Sequence, residues 1–380
     1  MSTAAAGPAP GAGPAAGAGP AAGDLSGLVT VEDFERRAAE LLPAGPLGFF
    51  AGGAGDEVTL AENRTAWRRW HFRPRVLVDV SGVTTRTTVL GHEVALPVLI
   101  APFSMPQLAH PDGARALARA AERAGTTFCL STLADASPAQ VAEAAPGGNR
   151  WFQTYWYRSD TGLTRALIEL AAAAGFTAVA LTVDTPRLSR RERDLRNGWS
   201  PPAAMEVPSL REASGGAIGR PADLVARLTD SMTWQDFAEL ASWSPLPLLA
   251  KGVLTPEDAA LAAANGAAAV IVSNHGGRQL DEVPASIDLL PEIADAVGRR
   301  VEVLLDSGVR RGSDVVKALA LGARATLIGR PALWGLACGG AAGVEEVLRL
   351  LQVETELCLA LLGVASPAAV GREHLQRARV

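Results

Sequence analysis

The chain has 380 residues, 48% of them hydrophobic and 20% charged, and its 35 basic against 40 acidic side chains leave a formal charge of −5. That apolar content can bury a sizeable core, and the acidic balance, without a Lys/Arg block, excludes a binder of nucleic-acid backbones. No apolar run reaches the roughly 18 residues of a membrane helix, and the three cysteines, Cys129, Cys338 and Cys358, suit a reducing cytoplasm rather than a disulfide scaffold or a cysteine zinc site.

Residues 1–25 repeat Ala, Gly and Pro without hydrophobic periodicity, so they are expected to be disordered and to carry no secretory signal. Residues 26–380 then read as one domain. Helical spacing over 31–42, behind Thr30, predicts a capped helix. Gly45-Pro46 breaks it, a Gly-rich turn follows at 51–55, and a Trp- and Arg-rich segment spans 67–80. Apolar runs at 96–101, 127–131, 151–155, 178–184, 246–251, 268–274, 302–306 and 325–329 predict eight strands. Ala-rich amphipathic stretches such as 112–123, 161–174, 256–264 and 312–320 predict helices between them. Such alternation, with strands apolar on both faces, predicts an α/β fold: a closed (β/α)8 TIM barrel with an N-terminal helical extension. An open doubly wound sheet is the rival. Between strands four and five lie about 60 residues with little periodicity before Thr233, a connection long enough to read as a lid.

In a barrel of this kind chemistry gathers where strands end. Those ends carry Ser131, Gln153 with Tyr155, Thr182 with Asp184, Lys251, Ser273 with Asn274 and His275, and Asp306. His275 heads Ser-Asn-His-Gly-Gly-Arg-Gln-Leu-Asp (273–281). An imidazole accepts protons near neutrality, paired glycines permit close approach, and Arg278 can grip a carboxylate with two parallel hydrogen bonds. The bland alternative is a structural loop with a satisfied histidine. Asp184 either orients an imidazole or caps a turn. Of Arg187, Arg190 and Arg191, one is expected to face an anion while the others are solvated or pair with Glu192 and Asp194. Asp306, Gly308 and Arg310, then Gly329 and Arg330, close strands seven and eight in loops suited to a phosphate. Lys251 and Lys317 are the only lysines, and Tyr155 and Tyr157 the only tyrosines, which marks them for chemistry. No P-loop, zincin or nucleophile-elbow motif occurs, and no metal site is expected.

The 273–281 segment resembles the active-site signature of FMN-dependent 2-hydroxy-acid oxidases and dehydrogenases, among them glycolate, lactate and hydroxymandelate oxidases and mandelate dehydrogenase. The resemblance runs from about Val31 to Gly363. It passes through Ala-Glu-Asn-Arg (61–64), Leu-Thr-Val-Asp-Thr-Pro-Arg (181–187), Lys-Gly-Val (251–253) and Asp-Ser-Gly-Val-Arg-Arg-Gly (306–312). It implies that His275 takes the substrate hydroxyl proton while the Cα hydrogen leaves as hydride to flavin N5; a carbanion route is the older rival. Asp184 would hold the imidazolium, Arg191 and Arg278 the carboxylate, and Tyr155 would hydrogen-bond near the reacting oxygen. Lys251 would sit by the flavin N1–C2=O edge. Ser131, Gln153, Thr182 and Ser273 would touch the ring, with Ala101-Pro102-Phe103-Ser104 along its face. Asp306, Gly308, Arg310, Gly329 and Arg330 would hold the ribityl chain and phosphate of noncovalent FMN. A cytoplasmic homotetramer is also implied.

Departures from the pattern bear on the substrate. Phe49 stands where glycolate and lactate oxidases carry a tyrosine, as it does in hydroxymandelate oxidase, and Leu133 where glycolate oxidase carries a tryptophan. A lost hydroxyl and a trimmed ring predict a larger, more apolar pocket and an aryl or larger 2-hydroxy acid, with Phe49 and Leu133 among the substrate contacts. Ser104 replaces a small Ala or Gly near the flavin face. Oxygen, giving hydrogen peroxide, and another electron acceptor therefore both stay open. The alternatives are a 2-hydroxy-acid dehydrogenase and an FMN-binding barrel with non-redox chemistry.

Overall fold

Short apolar runs that alternate between inner and outer faces form the frame. In the computed structural model, which describes residues 23–228 and 232–378, eight strands close a parallel barrel in chain order. They are β1 (Val98–Ile100), β2 (Thr127–Ser131), β3 (Asn149–Thr154), β4 (Ala178–Thr182), β5 (Leu248–Val253), β6 (Ala267–Val272), β7 (Glu302–Leu305) and β8 (Ala325–Ile328). Closure comes from β8 against β1, with Leu327 opposite Leu99. Leu99, Trp151, Leu249, Ile271, Leu304 and Leu327 fill the interior, where the Trp151 indole packs among alanines such as Ala178 and Ala180. Val98, Ile100, Phe128, Leu130 and Phe152 point outward into the helical layer. The TIM barrel is established and the open sheet is excluded.

The expected helices form at Gly113–Arg123, Thr161–Ala173, Pro256–Ala264 and Gly312–Ala320. The first helix, Val31–Leu41, starts as a capping box: Thr30 Oγ1 accepts from Asp33 N at 3.2 Å while Asp33 Oδ2 accepts from Thr30 N at 2.7 Å. Gly45-Pro46 breaks the chain less than expected. It lies in the first turn of a second helix, Ala44–Ala51, where proline removes no helical hydrogen bond. The β4–β5 connection also holds more order than its sequence suggests, with short helices at Glu192–Arg196, Pro208–Ala213 and Pro221–Val225 before the helix Trp234–Trp243. A hairpin, Thr87–Val89 with His92–Val94, closes the barrel's lower end by burying Val89 and Val94. Of the tail expected to be disordered, residues 1–22 lie outside the described residues; Leu25 packs against the core. Among the described residues no helix is long and apolar enough to cross a membrane.

Candidate active site

Past the end of β6 the chain turns sharply, and His275, Gly276 and Gly277 all take left-handed φ values of 59°, 66° and 72°. Side chains lock this turn to the N-terminal extension. Asn274 and Asn63 exchange amide hydrogen bonds, each 2.8 Å, and Asp281 accepts from Thr59 N at 2.8 Å, capping the helix Val58–Thr65 that carries Asn63. His275 N donates to Ser273 Oγ at 3.1 Å, and Gly276 N to Ser307 Oγ at 3.0 Å.

Asp184 meets this turn from the end of β4, its two carboxylate oxygens 3.0 and 3.1 Å from His275 Nδ1. A bulge in β5 makes the approach possible. The register shifts between Lys251 and Val253, Gly252 has φ +113°, and a Cβ there would stand 2.5 Å from the Asp184 side chain. Gln279 Nε2 fixes the Asp184 carbonyl at 2.7 Å. With the carboxylate on Nδ1, the ring proton is assigned to that nitrogen and Nε2 carries the free lone pair. Burial lowers the His275 pKa below 6.5 despite the upward pull of Asp184, so the imidazole is neutral at pH 7. Burial raises Asp184, but His275, Lys251 and Thr185 outweigh it and hold the carboxyl below its usual range.

Lys251 lies buried on β5. Its Nζ stands 3.3 Å from Asp306 Oδ2 and donates to Ser273 Oγ at 3.2 Å. Burial works against this charge, yet Asp306 and Asp184 raise the ammonium's pKa above its ordinary value. A lateral chain crosses the neighbouring strands: Ser131 Oγ donates to Gln153 Oε1, and Gln153 Nε2 to Thr182 Oγ1, both at 2.9 Å. Arg278 Nη1 donates to the carbonyls of Phe49 at 2.6 Å and Gly52 at 2.8 Å, and its guanidinium lies 5.0 Å from the Phe49 ring centre. Arg191 approaches the same ring at 5.9 Å. Burial, then the charges of Arg191 and Arg330, push Arg278 well below its ordinary pKa, so the cluster favours an arriving anion. Burial, then Asp184, raises the Tyr155 phenol, which stays a protonated donor.

These groups surround one cavity of about 750 Å³. Every site residue expected from the sequence lines it except Asp184 and Ser273. Asp184 stands behind His275. Ser273, expected against a ring, is instead fully buried and braces Lys251 and His275 from behind. The far end is phosphate-like in its chemistry. Gly308 has φ +90°, and a Cβ there would stand 1.8 Å from the Asn63 carbonyl oxygen. Gly329 opens, with no side-chain cap, the first of two helices that span Arg330–Leu362 across a kink at Gly339 and Gly340, leaving backbone N–H groups for a ligand. Burial and then Arg64 bring Arg310 down to about 10; burial and then Arg310 bring Arg330 to about 9. Arg310 Nε is buried without a hydrogen-bond partner. Arg330 has a second job, donating to the carbonyls of Phe50, Gly276 and Gly52 at 2.9, 2.9 and 2.8 Å. Residue-level reading missed the lid's contribution, Leu188, Asp194, Leu195, Trp199 and Val225; only the length of that connection pointed to it. Of the three lid arginines, Arg190 and Arg191 line the cavity; Arg191 is the more buried, while Arg190 is exposed and stands 3.8 Å from Glu192.

A barrel that gathers a buried imidazole–carboxylate pair, a buried ammonium and a guanidinium-rich pocket at its strand ends defines a class, the TIM-barrel enzymes that move a proton beside a bound anion. A sequence profile of FMN-dependent dehydrogenases matches residues 38–377, and the chain belongs to that family. It is 48% identical to an L-lactate oxidase of Nostoc sp., over 89% of this chain and 95% of that protein. Glycolate oxidase 3 of Arabidopsis thaliana is 45% identical over 92% and 96% respectively. A mandelate oxidase variant solved with (S)-mandelic acid superposes with a TM-score of 0.84 at 39% identity, covering 93% of this chain and 99% of the other. A chimeric (S)-mandelate dehydrogenase gives 0.86 at 38%, covering 92% and 100%. The chain is thus an FMN-dependent enzyme of the 2-hydroxy-acid oxidase group. The cavity suits that cofactor: polar strand ends and the buried Lys251 offer hydrogen bonds and positive charge to a ring, and Arg310, 3.6 Å from Glu35, offers with Gly308 and Gly329 a cradle for a dianion.

Proposed function

We propose that this enzyme oxidises an aryl or otherwise bulky 2-hydroxy acid to the 2-oxo acid, with His275 as base and oxygen as the final acceptor. The observation that carries the reading is the Asp184–His275 pair, 3.0 Å apart, opening on the same cavity as Arg191 and Arg278. Bound FMN supplies the two-electron acceptor. Arg191 and Arg278 bind the substrate carboxylate, Tyr155 donates to its reacting oxygen, and His275 Nε2 removes the hydroxyl proton. Asp184 stabilises the resulting imidazolium. Lys251, charged and paired with Asp306, places positive charge at the ring's edge; Ser131, Gln153 and Thr182 hold that edge, and Ala101, Pro102, Phe103 and Ser104 pass along the ring face. Asp306, Gly308, Arg310, Gly329 and Arg330 hold the tail.

The substrate class rests on the cavity wall. Phe49 and Leu133 line it without a polar atom on their side chains, and Trp199 stacks on Phe49 with ring centres 4.6 Å apart. Leu188, Leu195 and Val225 extend the apolar lid. The 48% identity to an L-lactate oxidase favours a second reading, a short aliphatic substrate. Aerobic turnover of mandelate, lactate and glycolate with peroxide detection separates the two. Mandelate is expected to give the highest kcat/KM, and a clear preference for glycolate or lactate would overturn the aryl reading. The free thiols of Cys129, Cys338 and Cys358 support a reducing, cytoplasmic setting. A homotetramer is the assembly proposed, which light scattering would check.

A further inference from the structure

The lid helix Glu192–Arg196 sorts its charges by face. Arg193 pairs with Glu57, Arg196 with Glu192, and Arg190 stands 3.8 Å from Glu192. Arg191 and Asp194, one turn apart, line the cavity, as Arg190 also does. Arg191 Nε and Asp194 Oδ1 are buried without a hydrogen-bond partner. Asp194 is partly buried, with one carboxylate oxygen out of water and unpaired; this desolvation raises its pKa, and the nearby charges of Arg191 and then Arg278 work against that rise and favour the ionised form. The cavity's other charges are matched elsewhere. Lys251 pairs with Asp306, Arg310 stands 3.6 Å from Glu35 and Arg190 3.8 Å from Glu192, Arg330 is braced by three carbonyls toward the phosphate end, and His275 is neutral.

We propose that Asp194 is a specificity-determining residue that cancels one guanidinium charge of the carboxylate pocket, so that the enzyme takes 2-hydroxy monocarboxylates and rejects dicarboxylates. This rests on the carboxylate role given above to Arg191 and Arg278. Two guanidiniums and one carboxylate leave a single positive charge, which one substrate carboxylate neutralises. A dianion would leave an uncompensated negative charge in a desolvated site. With asparagine at 194 the balance reverses and a dianion fits. Coulomb energy scales with the product of charges, so the gain for a dianion is double in free energy and squared in affinity.

Flavin difference spectra of the FMN-loaded enzyme read the binding of unreactive anions directly. Propionate and malonate form a suitable pair, alike in size and differing by one charge. The unmodified enzyme should bind malonate no more tightly than propionate. Asp194→Asn should tighten propionate about tenfold and malonate about a hundredfold, while Asp194→Glu keeps the original ratio. An equal change for both anions, a loosening of both, or a tenfold malonate preference in the unmodified enzyme would each overturn the inference; the last needs no variant to fold. If the enzyme binds propionate but turns over no 2-hydroxy acid, the oxidase reading fails while the charge filter is still measured. If neither anion perturbs the flavin, the carboxylate pocket fails and takes the filter with it.

Discussion

His275 illustrates how neighbours set a residue's chemistry. Its left-handed backbone aims the ring, Asp184 takes Nδ1, and burial keeps the imidazole unprotonated. Replacing His275 with asparagine should lower kcat/KM by about 10²–10⁴-fold, the usual range for a positioned general base, with FMN retained. Steady-state kinetics beside the visible flavin spectrum check both halves. The pH dependence follows from the direction of the shift. A base works when unprotonated, and the His275 pKa lies below 6.5 because of burial. The kcat/KM of the unmodified enzyme should therefore fall on its acid side with an apparent pKa below 6.5 and reach its plateau above it. A rising limb centred above 6.5 would contradict the buried neutral imidazole.

Two elements hold the site's shape, the bulged end of β5 and the turn after β7. At Gly308 a side chain would meet the Asn63 carbonyl oxygen and be strained by φ +90°. Gly308→Ala should destabilise the fold by about 2 kcal/mol or more and weaken FMN uptake, as thermal unfolding and flavin titration would show. The lid is the element proposed to set the substrate. Trp199→Ala, which removes the ring stacked on Phe49, should cut the preference for mandelate over lactate by about tenfold. An unchanged ratio would remove Trp199 from the substrate wall. The strands and most long helices were legible because apolar periodicity fixes them, and His275, Asp184 and Lys251 because strand-end polarity stands out. The lid's short helices were not legible: five- and six-residue pieces such as Glu192–Arg196 hold by tertiary contact rather than by periodicity. Ser273 was expected to touch the ring, because sequence cannot tell which side of a strand end a hydroxyl serves; Asp194 was read only as a partner for a lid arginine, and Trp199 went unassigned, because no periodicity or strand end marks their place in the lid.

At the scale of the whole molecule, the barrel and its cofactor site share one support. Arg330 and Arg278 tie the N-terminal helices to the strand ends through carbonyls of Phe49, Phe50 and Gly52, beside a cavity of buried like charges. A bound phosphate relieves that repulsion. FMN at a thousand times its dissociation constant should add about 4 kcal/mol to folding stability, so stripping the flavin should lower the melting temperature measurably. One imidazole–carboxylate pair, sharing a cavity with two guanidiniums, is proposed to drive the oxidation of 2-hydroxy acids by the flavin. Anaerobic mixing of the FMN-loaded enzyme with mandelate, followed at the flavin's visible absorbance, tests it most directly. The account predicts rapid bleaching by the unmodified enzyme and bleaching slowed at least a hundredfold in His275→Asn. A flavin that stays oxidised with mandelate, lactate and glycolate alike, or one that His275→Asn reduces equally fast, would contradict it.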